Sequence, residues 1–304
     1  MVSLDNSLLV ERYRPSKLEN YVGNENIKKS ISKYLEQNDI QNLIFYGPSG
    51  TGKTTLAKLC VQNLNCDHLY INASDERGIE TIRDKVQGFA SVASFKPLKV
   101  VILDEADFLT LTAQASLRNV IEKFSKTTRF ILTCNYVERI LEPLQSRCHT
   151  LKILPPSKQD VARHLNWIMS EENITHTPED IKLIVNPYYP DLRKCIEAIQ
   201  MFNMDGKLEL DKSVLVSSQY LSLIFKELSK SKPSIKDIRQ IIADSGVSDF
   251  EELFRYLYDT AEEYVPGKEG MVAYYVNEYS YQANFRIDKE INAVALINQI
   301  LTLK

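Results

Sequence analysis

Gly47-Pro48-Ser49-Gly50-Thr51-Gly52-Lys53-Thr54 decides the reading of this chain. The stretch fits G-x-x-x-x-G-K-[ST], a loop that cradles phosphate. Its glycines let backbone N–H groups turn inward around phosphate oxygens. The Lys53 ammonium reaches the β- and γ-phosphates, and the Thr54 hydroxyl ligates Mg²⁺. The loop opens a helix whose N-terminal dipole favours an anion. Leu43-Ile44-Phe45-Tyr46 before it is an apolar run of strand length. Thr55-Leu56-Ala57-Lys58-Leu59-Cys60 after it suits a helix. Strand, glycine loop and helix thus follow in the order the motif requires.

Fifty residues on, Lys99-Val100-Val101-Ile102-Leu103-Asp104-Glu105 reads as a buried strand that ends in an acidic pair. Ligands of open α/β sheets bind at that end of the strands. One carboxylate there can hold the water shell of Mg²⁺ and the next can polarise an attacking water. His68-Leu69-Tyr70-Ile71 and Phe130-Ile131-Leu132-Thr133-Cys134-Asn135 read as further strands, the latter ending in an amide. Thr150 to Leu154 is a last short strand, and Pro155-Pro156 punctuates a boundary.

The bulk composition narrows the classes. The chain has 304 residues, an apolar content of 44 % and a net charge of −3. Two or three domains are expected at that length. No apolar run approaches the length of a membrane helix, and the N-terminus has no signal-peptide core. Five cysteines form no C-x-x-C pair. They point to reduced core thiols in an intracellular protein and not to structural zinc. The first 155 residues carry a net +3 and the remainder −6, a split that permits a local basic surface.

Elsewhere the patterns are helical. Asn26 to Gln37 has helical spacing, and residues 3–22 read as an extended arm because Pro15 biases Arg14 away from helix. A helix beginning near Gly78 puts Ile79, Ile82, Val86 and Phe89 on one face. Arg77, Arg83 and Lys85 cluster around its start. After Ser157 the chain reads as helices, with Met204 to Lys207 as a linker and breaks near Pro233, Gly246 and Pro266-Gly267.

Four stretches then carry a resemblance. They are Glu11-Arg12-Tyr13-Arg14-Pro15, Asn72-Ala73-Ser74-Asp75-Glu76-Arg77-Gly78, Glu122 through Tyr136, and Gln145-Ser146-Arg147-Cys148. The chain resembles the AAA+ ATPases, and within them the small ATPase subunits of sliding-clamp loaders. These are the replication factor C type and its archaeal and tailed-phage counterparts. The stretch Phe89 to Phe95 is most similar to the phage version. The resemblance is dense over 8–155 and looser to about 205.

The resemblance implies an α/β parallel-sheet P-loop domain over 1–155, a helical lid over 156–206 and an all-helical collar over 207–304. It implies ATP and Mg²⁺ as cofactors. Pro48, Ser49, Gly50, Thr51, Gly52, Lys53, Thr54 and Thr55 would hold the phosphates. Val10, Glu11, Arg12, Tyr13 and Val22 would border the adenine. Thr54 and Asp104 would serve the metal, Glu105 would activate water and Asn135 would sense the γ-phosphate. Arg193 would contact ATP in cis, and Arg147 would act as an arginine finger on a neighbour's ATP.

Arg83, Arg77 and Lys85 would track DNA, and Val92 and Phe95 would meet the clamp. A Phe in a short loop is more often core than interface, so burial is the competing expectation for Phe95. The implied partners are other loader subunits in a heteropentamer, the sliding clamp and primer–template DNA, with no membrane. The implied place is a prokaryotic or phage-infected cytoplasm, or a nucleus. Two other readings are a different AAA+ motor such as a branch-migration helicase, and a scaffold subunit that binds nucleotide without turnover. Intact Lys53, Thr54, Asp104 and Glu105 weigh against the scaffold.

Overall fold

The computed structural model describes residues 8–209, 212–247, 249–283 and 285–304. Five strands form one sheet: β1 (Leu43–Tyr46), β2 (Cys66–Asn72), β3 (Leu98–Asp104), β4 (Thr128–Cys134) and β5 (His149–Lys152). Their spatial order is β2-β3-β4-β1-β5, and every pairing is parallel. Parallel strands are covered on both faces, which is why they read as unbroken apolar runs. Leu43, Phe45, Val100, Ile102 and Ile131 enter one buried layer with Ile31 and Leu56. Ile44, Val101, Leu103, Phe130 and Leu132 enter the opposite layer with Ile82, Leu117 and Ile121. The odd–even split follows from the two-residue period of a strand.

The strand ends matter most for function. β1 leads into the glycine loop and then the helix Lys53–Gln62. β3 and β4 end at Asp104 and Cys134, either side of the same point. The order of the sheet places β4 directly between β1 and β3, so these ends converge.

The chain divides into two compact units. The first runs to Thr177 and takes in Tyr188–Lys207; the second holds Pro178–Pro187 and Leu208–Lys304. Two helices after the sheet, Lys158–Glu171 and Leu192–Phe202, belong to the first unit. Ser157 and Asp191 cap their N-termini by accepting from the N–H groups of Asp160 and Lys194. The second unit contains helices Ile235–Ser245, Glu251–Asp259, Glu269–Ala283 and Lys289–Leu301 around Ile224, Ile238, Leu253, Leu257 and Leu296. Gly246 stops one of them in the left-handed conformation, at the break expected from the sequence.

Three local expectations are corrected. The arm is not extended throughout, since Leu9–Arg12 forms a short helix ahead of Pro15. Buried Leu9 holds it, and its N–H donates to Gln200 Oε1 at 2.9 Å. The stretch Met204 to Lys207 is no plain linker. Asn203–Met204 and Lys207–Leu208 are short strands either side of Asp205-Gly206, both at positive φ as a tight turn demands. The helix near Gly78 has π geometry over Thr81–Val86, a widening that spacing alone does not reveal.

Candidate nucleotide site

The glycine loop, the arm and the two later helices enclose one cleft. Val10, Tyr13, Val22, Ser49 to Thr55, Glu105, Asn135 and Arg193 line it together. The Lys53 ammonium donates to the carbonyls of Gly47 (2.8 Å) and Pro48 (2.7 Å) and to Asn135 Oδ1 (2.8 Å). Burial lowers its pKa, an effect opposed by nearby acidic groups that include Asp107 and Asp104. Two of the loop glycines are also required by protein neighbours. A Cβ on Gly50, at φ +71°, would fall 1.9 Å from Asp191 Oδ1. On Gly52, at φ +91°, it would crowd the Tyr21 ring, whose hydroxyl donates to the Thr51 carbonyl.

Asp104 is buried and accepts three hydroxyl protons. They come from Thr54 (2.8 Å), Thr133 (2.5 Å) and Tyr70 (2.7 Å). Burial, then the bond to Asp104, raises the Tyr70 pKa and keeps the phenol a donor. Thr133 serves both acidic residues, because its Oγ1 also accepts the Glu105 N–H at 3.0 Å. Glu105 adopts φ 55°, a left-handed conformation that turns its side chain out of the strand and into the cleft.

Asn135 is fixed from behind. Asp107 Oδ2 accepts the N–H groups of Asn135 and Tyr136, each at 3.2 Å. The other oxygen, Oδ1, is buried without a hydrogen-bond partner. The donor set suits Mg²⁺ held largely by phosphates, which needs only a hydroxyl and a carboxylate from the protein. No cluster of three or more His, Cys, Asp or Glu that could cage a metal occurs among the described residues.

On the arm side, Tyr13 meets Trp167 edge-on at 5.3 Å, and its hydroxyl donates to Glu172. Arg12 pairs with the same Glu172, and Glu11 pairs with Arg14. Arg12 and Glu11 therefore brace the arm, while Val10, Tyr13 and Arg14 face the cleft.

Comparison with known proteins accords with this geometry. The AAA family, ATPases associated with various cellular activities, matches residues 43–155. The replication factor C small subunit of Aeropyrum pernix is 33 % identical over 302 residues, covering 97 % of this chain and 89 % of that one. The Sulfolobus acidocaldarius small subunit is 38 % identical over 242 residues, covering 77 % and 70 %. The chain belongs to the replication factor C small-subunit family of clamp-loader ATPases. The branch-migration motor RuvB of Thermotoga maritima superposes with a TM-score of 0.55 at 17 % identity, over 84 % of this chain and 80 % of that one. Such a likeness shows the fold alone.

In this replication factor C family chain, several expected site residues stand outside the cleft. Arg147 lies on another surface, with Gln41, Asn42 and His149. Its Nε donates to Glu122 at 2.7 Å and its Nη1 to the Pro143 carbonyl at 2.6 Å. Arg77, Arg83 and Lys85 are exposed. Lys85 pairs with Glu76 at 2.6 Å, whereas Arg83 has no ion-pair partner among the described residues. Val92 is exposed and Phe95 fully so, which removes the core expectation for that ring. Beneath them Lys99, only 6 % exposed, donates to the carbonyls of Phe89 (2.8 Å), Ala90 (3.2 Å) and Val92. Ser94 is tied to Asp67 at 2.6 Å, and Lys96 to the Cys66 carbonyl at 2.9 Å.

Four residues of this site escaped sequence reading: Tyr70, Asp107, Thr133 and His164. Thr133 lies two residues before Asn135 and Tyr70 two before Asn72, which pairs with Asp104. The period of a strand was the available signal for both. His164 carries no motif.

Proposed function

We propose that this chain is an ATP-hydrolysing subunit that helps open a sliding clamp and place it on primer–template DNA. The arrangement of Lys53, Asn135, Asp104 and Glu105 at one convergent set of strand ends supports this most directly. Lys53 and the loop N–H groups would bind the β- and γ-phosphates. Asn135, now on the Lys53 ammonium, would read the γ-phosphate. Glu105 would accept a proton from the attacking water. Thr54 and Asp104 would hold Mg²⁺, which neutralises phosphate charge when bound. Arg193 would contact the phosphates in cis.

Arg147 lines a surface other than the chain's own cleft, as a finger serving a neighbour's site requires. That role needs a multisubunit ring, and we place this chain in a heteropentamer inside the cell. Residues 1–155 would act as the motor, 156–206 as the lid and 207–304 as the collar. Exposed Val92 and Phe95 would dock the clamp. Arg83, with Arg77 and Lys85, would follow the DNA backbone, where contacts position without reading sequence.

The deciding experiment is the ATPase rate of the co-purified assembly with and without clamp and primed DNA. Stimulation by both together is expected. Turnover indifferent to both would overturn the loader assignment.

A further inference from the structure

We propose that His164 reads the edge of the bound base and sets the preference of the cleft for adenine over guanine. His164 can act so only if the cleft is the nucleotide site proposed above. It projects from the helix Lys158–Glu171 into the cleft, on the side of Tyr13. Both rings pack on Trp167, that of Tyr13 at 5.3 Å and that of His164 at 5.5 Å. Val10 and Ile196 add apolar surface to the same cleft. Such walls grip any purine and cannot separate two of them by polar chemistry, because discrimination requires a hydrogen-bonding group that one base satisfies and the other does not.

The two polar side chains that the arm brings to the cleft are already engaged. The Tyr13 hydroxyl donates to Glu172, and the Arg14 guanidinium is bonded to Glu11 and Thr55. The His164 ring nitrogens have no hydrogen-bond partner among the described residues, although the ring faces the cleft. Burial lowers the His164 pKa, so the ring is neutral near pH 7 and keeps one acceptor nitrogen. Adenine offers an exocyclic N–H donor where guanine offers a carbonyl acceptor. The neutral ring carries one acceptor and one N–H, and with the acceptor turned to the base edge it matches the adenine amino group and opposes the guanine carbonyl.

The test is displacement of a ribose-labelled ATP analogue from the full chain by ATP and by GTP. His164→Phe keeps the ring on Trp167 and removes both nitrogens. ATP affinity should fall about tenfold, the effect of losing one buried hydrogen bond, while GTP affinity should hold or rise because the opposed acceptor is gone. His164→Gln, which restores an acceptor, should recover part of the preference. An ATP-to-GTP ratio equal in the parent chain and in folded His164→Phe would overturn the assignment. If His164→Phe does not fold, an unchanged ratio in His164→Ala would do the same. Failure of the parent chain to bind either nucleotide would instead remove the site itself, and the role of His164 with it.

Discussion

The Tyr70 hydroxyl donates to Asp104 Oδ2 at 2.7 Å across the parallel pair β2–β3. Tyr70 is thus a third hydroxyl on the carboxylate proposed to serve the metal. Tyr70→Phe should leave the strand in place and loosen Asp104, which keeps the Thr54 and Thr133 hydroxyls. Divalent-ion affinity should fall about fivefold, as one hydrogen bond is worth ~1 kcal/mol. Electron paramagnetic resonance of Mn²⁺ in the presence of nucleotide measures this directly. Unchanged Mn²⁺ affinity would make Tyr70 a packing residue only.

Lys53 and Glu105 should separate binding from turnover. Lys53→Ala removes the only ammonium that lines the cleft among the described residues and should abolish tight ATP binding. Glu105→Gln keeps the shape and loses the base, so ATP should still bind while hydrolysis drops by about 10²-fold or more. Equilibrium binding and single-turnover assays distinguish the two. Loss of binding in Glu105→Gln would mark Glu105 as a structural residue.

Arg147→Ala should leave ATP binding by the single chain intact. In the assembly it should lower hydrolysis by about 10³-fold at the site it serves. Mixing decides whose site that is. A chain lacking Arg147 but with its own cleft intact should still turn over beside a neighbour that supplies an arginine.

Phe95 carries no burial, so Phe95→Ala should not lower the melting temperature. Clamp affinity should fall about tenfold or more, the usual loss for an aromatic anchor. Calorimetric titration with purified clamp reads it. Full affinity would move the docking surface elsewhere.

Arg83→Ala should weaken primed-DNA binding equally for all sequences. It should also reduce the slope of log affinity against log salt by about one. Lys85, already paired with Glu76, should contribute less. An unchanged slope for Arg83→Ala in a correctly assembled loader would exclude a phosphate contact.

The sheet and the phosphate end of the site were legible because their signals are local. A glycine loop, a buried strand and an acidic pair declare themselves within ten residues each. Two of the hydroxyls on Asp104 were not, because Tyr70 and Thr133 come from separate strands that only the strand order brings to either side of it. The sequence signalled that Phe95 belongs to a loop, but exposure depends on what packs beside it. Asp107 was hidden for a different reason. It follows the acidic pair closely enough to be read as part of it, yet its task is to hold the backbone of Asn135 and Tyr136 just past the end of β4.

Lys99 has a kinetic consequence. Its buried charge is met by backbone carbonyls at the end of a helix, and Ser94 and Lys96 are tied down as well. Moving the segment below Phe95 would strand that cation in a dry interior, so the exposed ring stands on a stiff base. A partner that docks there meets a surface already in its bound form, with little ordering entropy left to lose. Association should then proceed close to rigid-body encounter, and variants at Val92 or Phe95 should act on the lifetime of the complex far more than on the rate at which it forms.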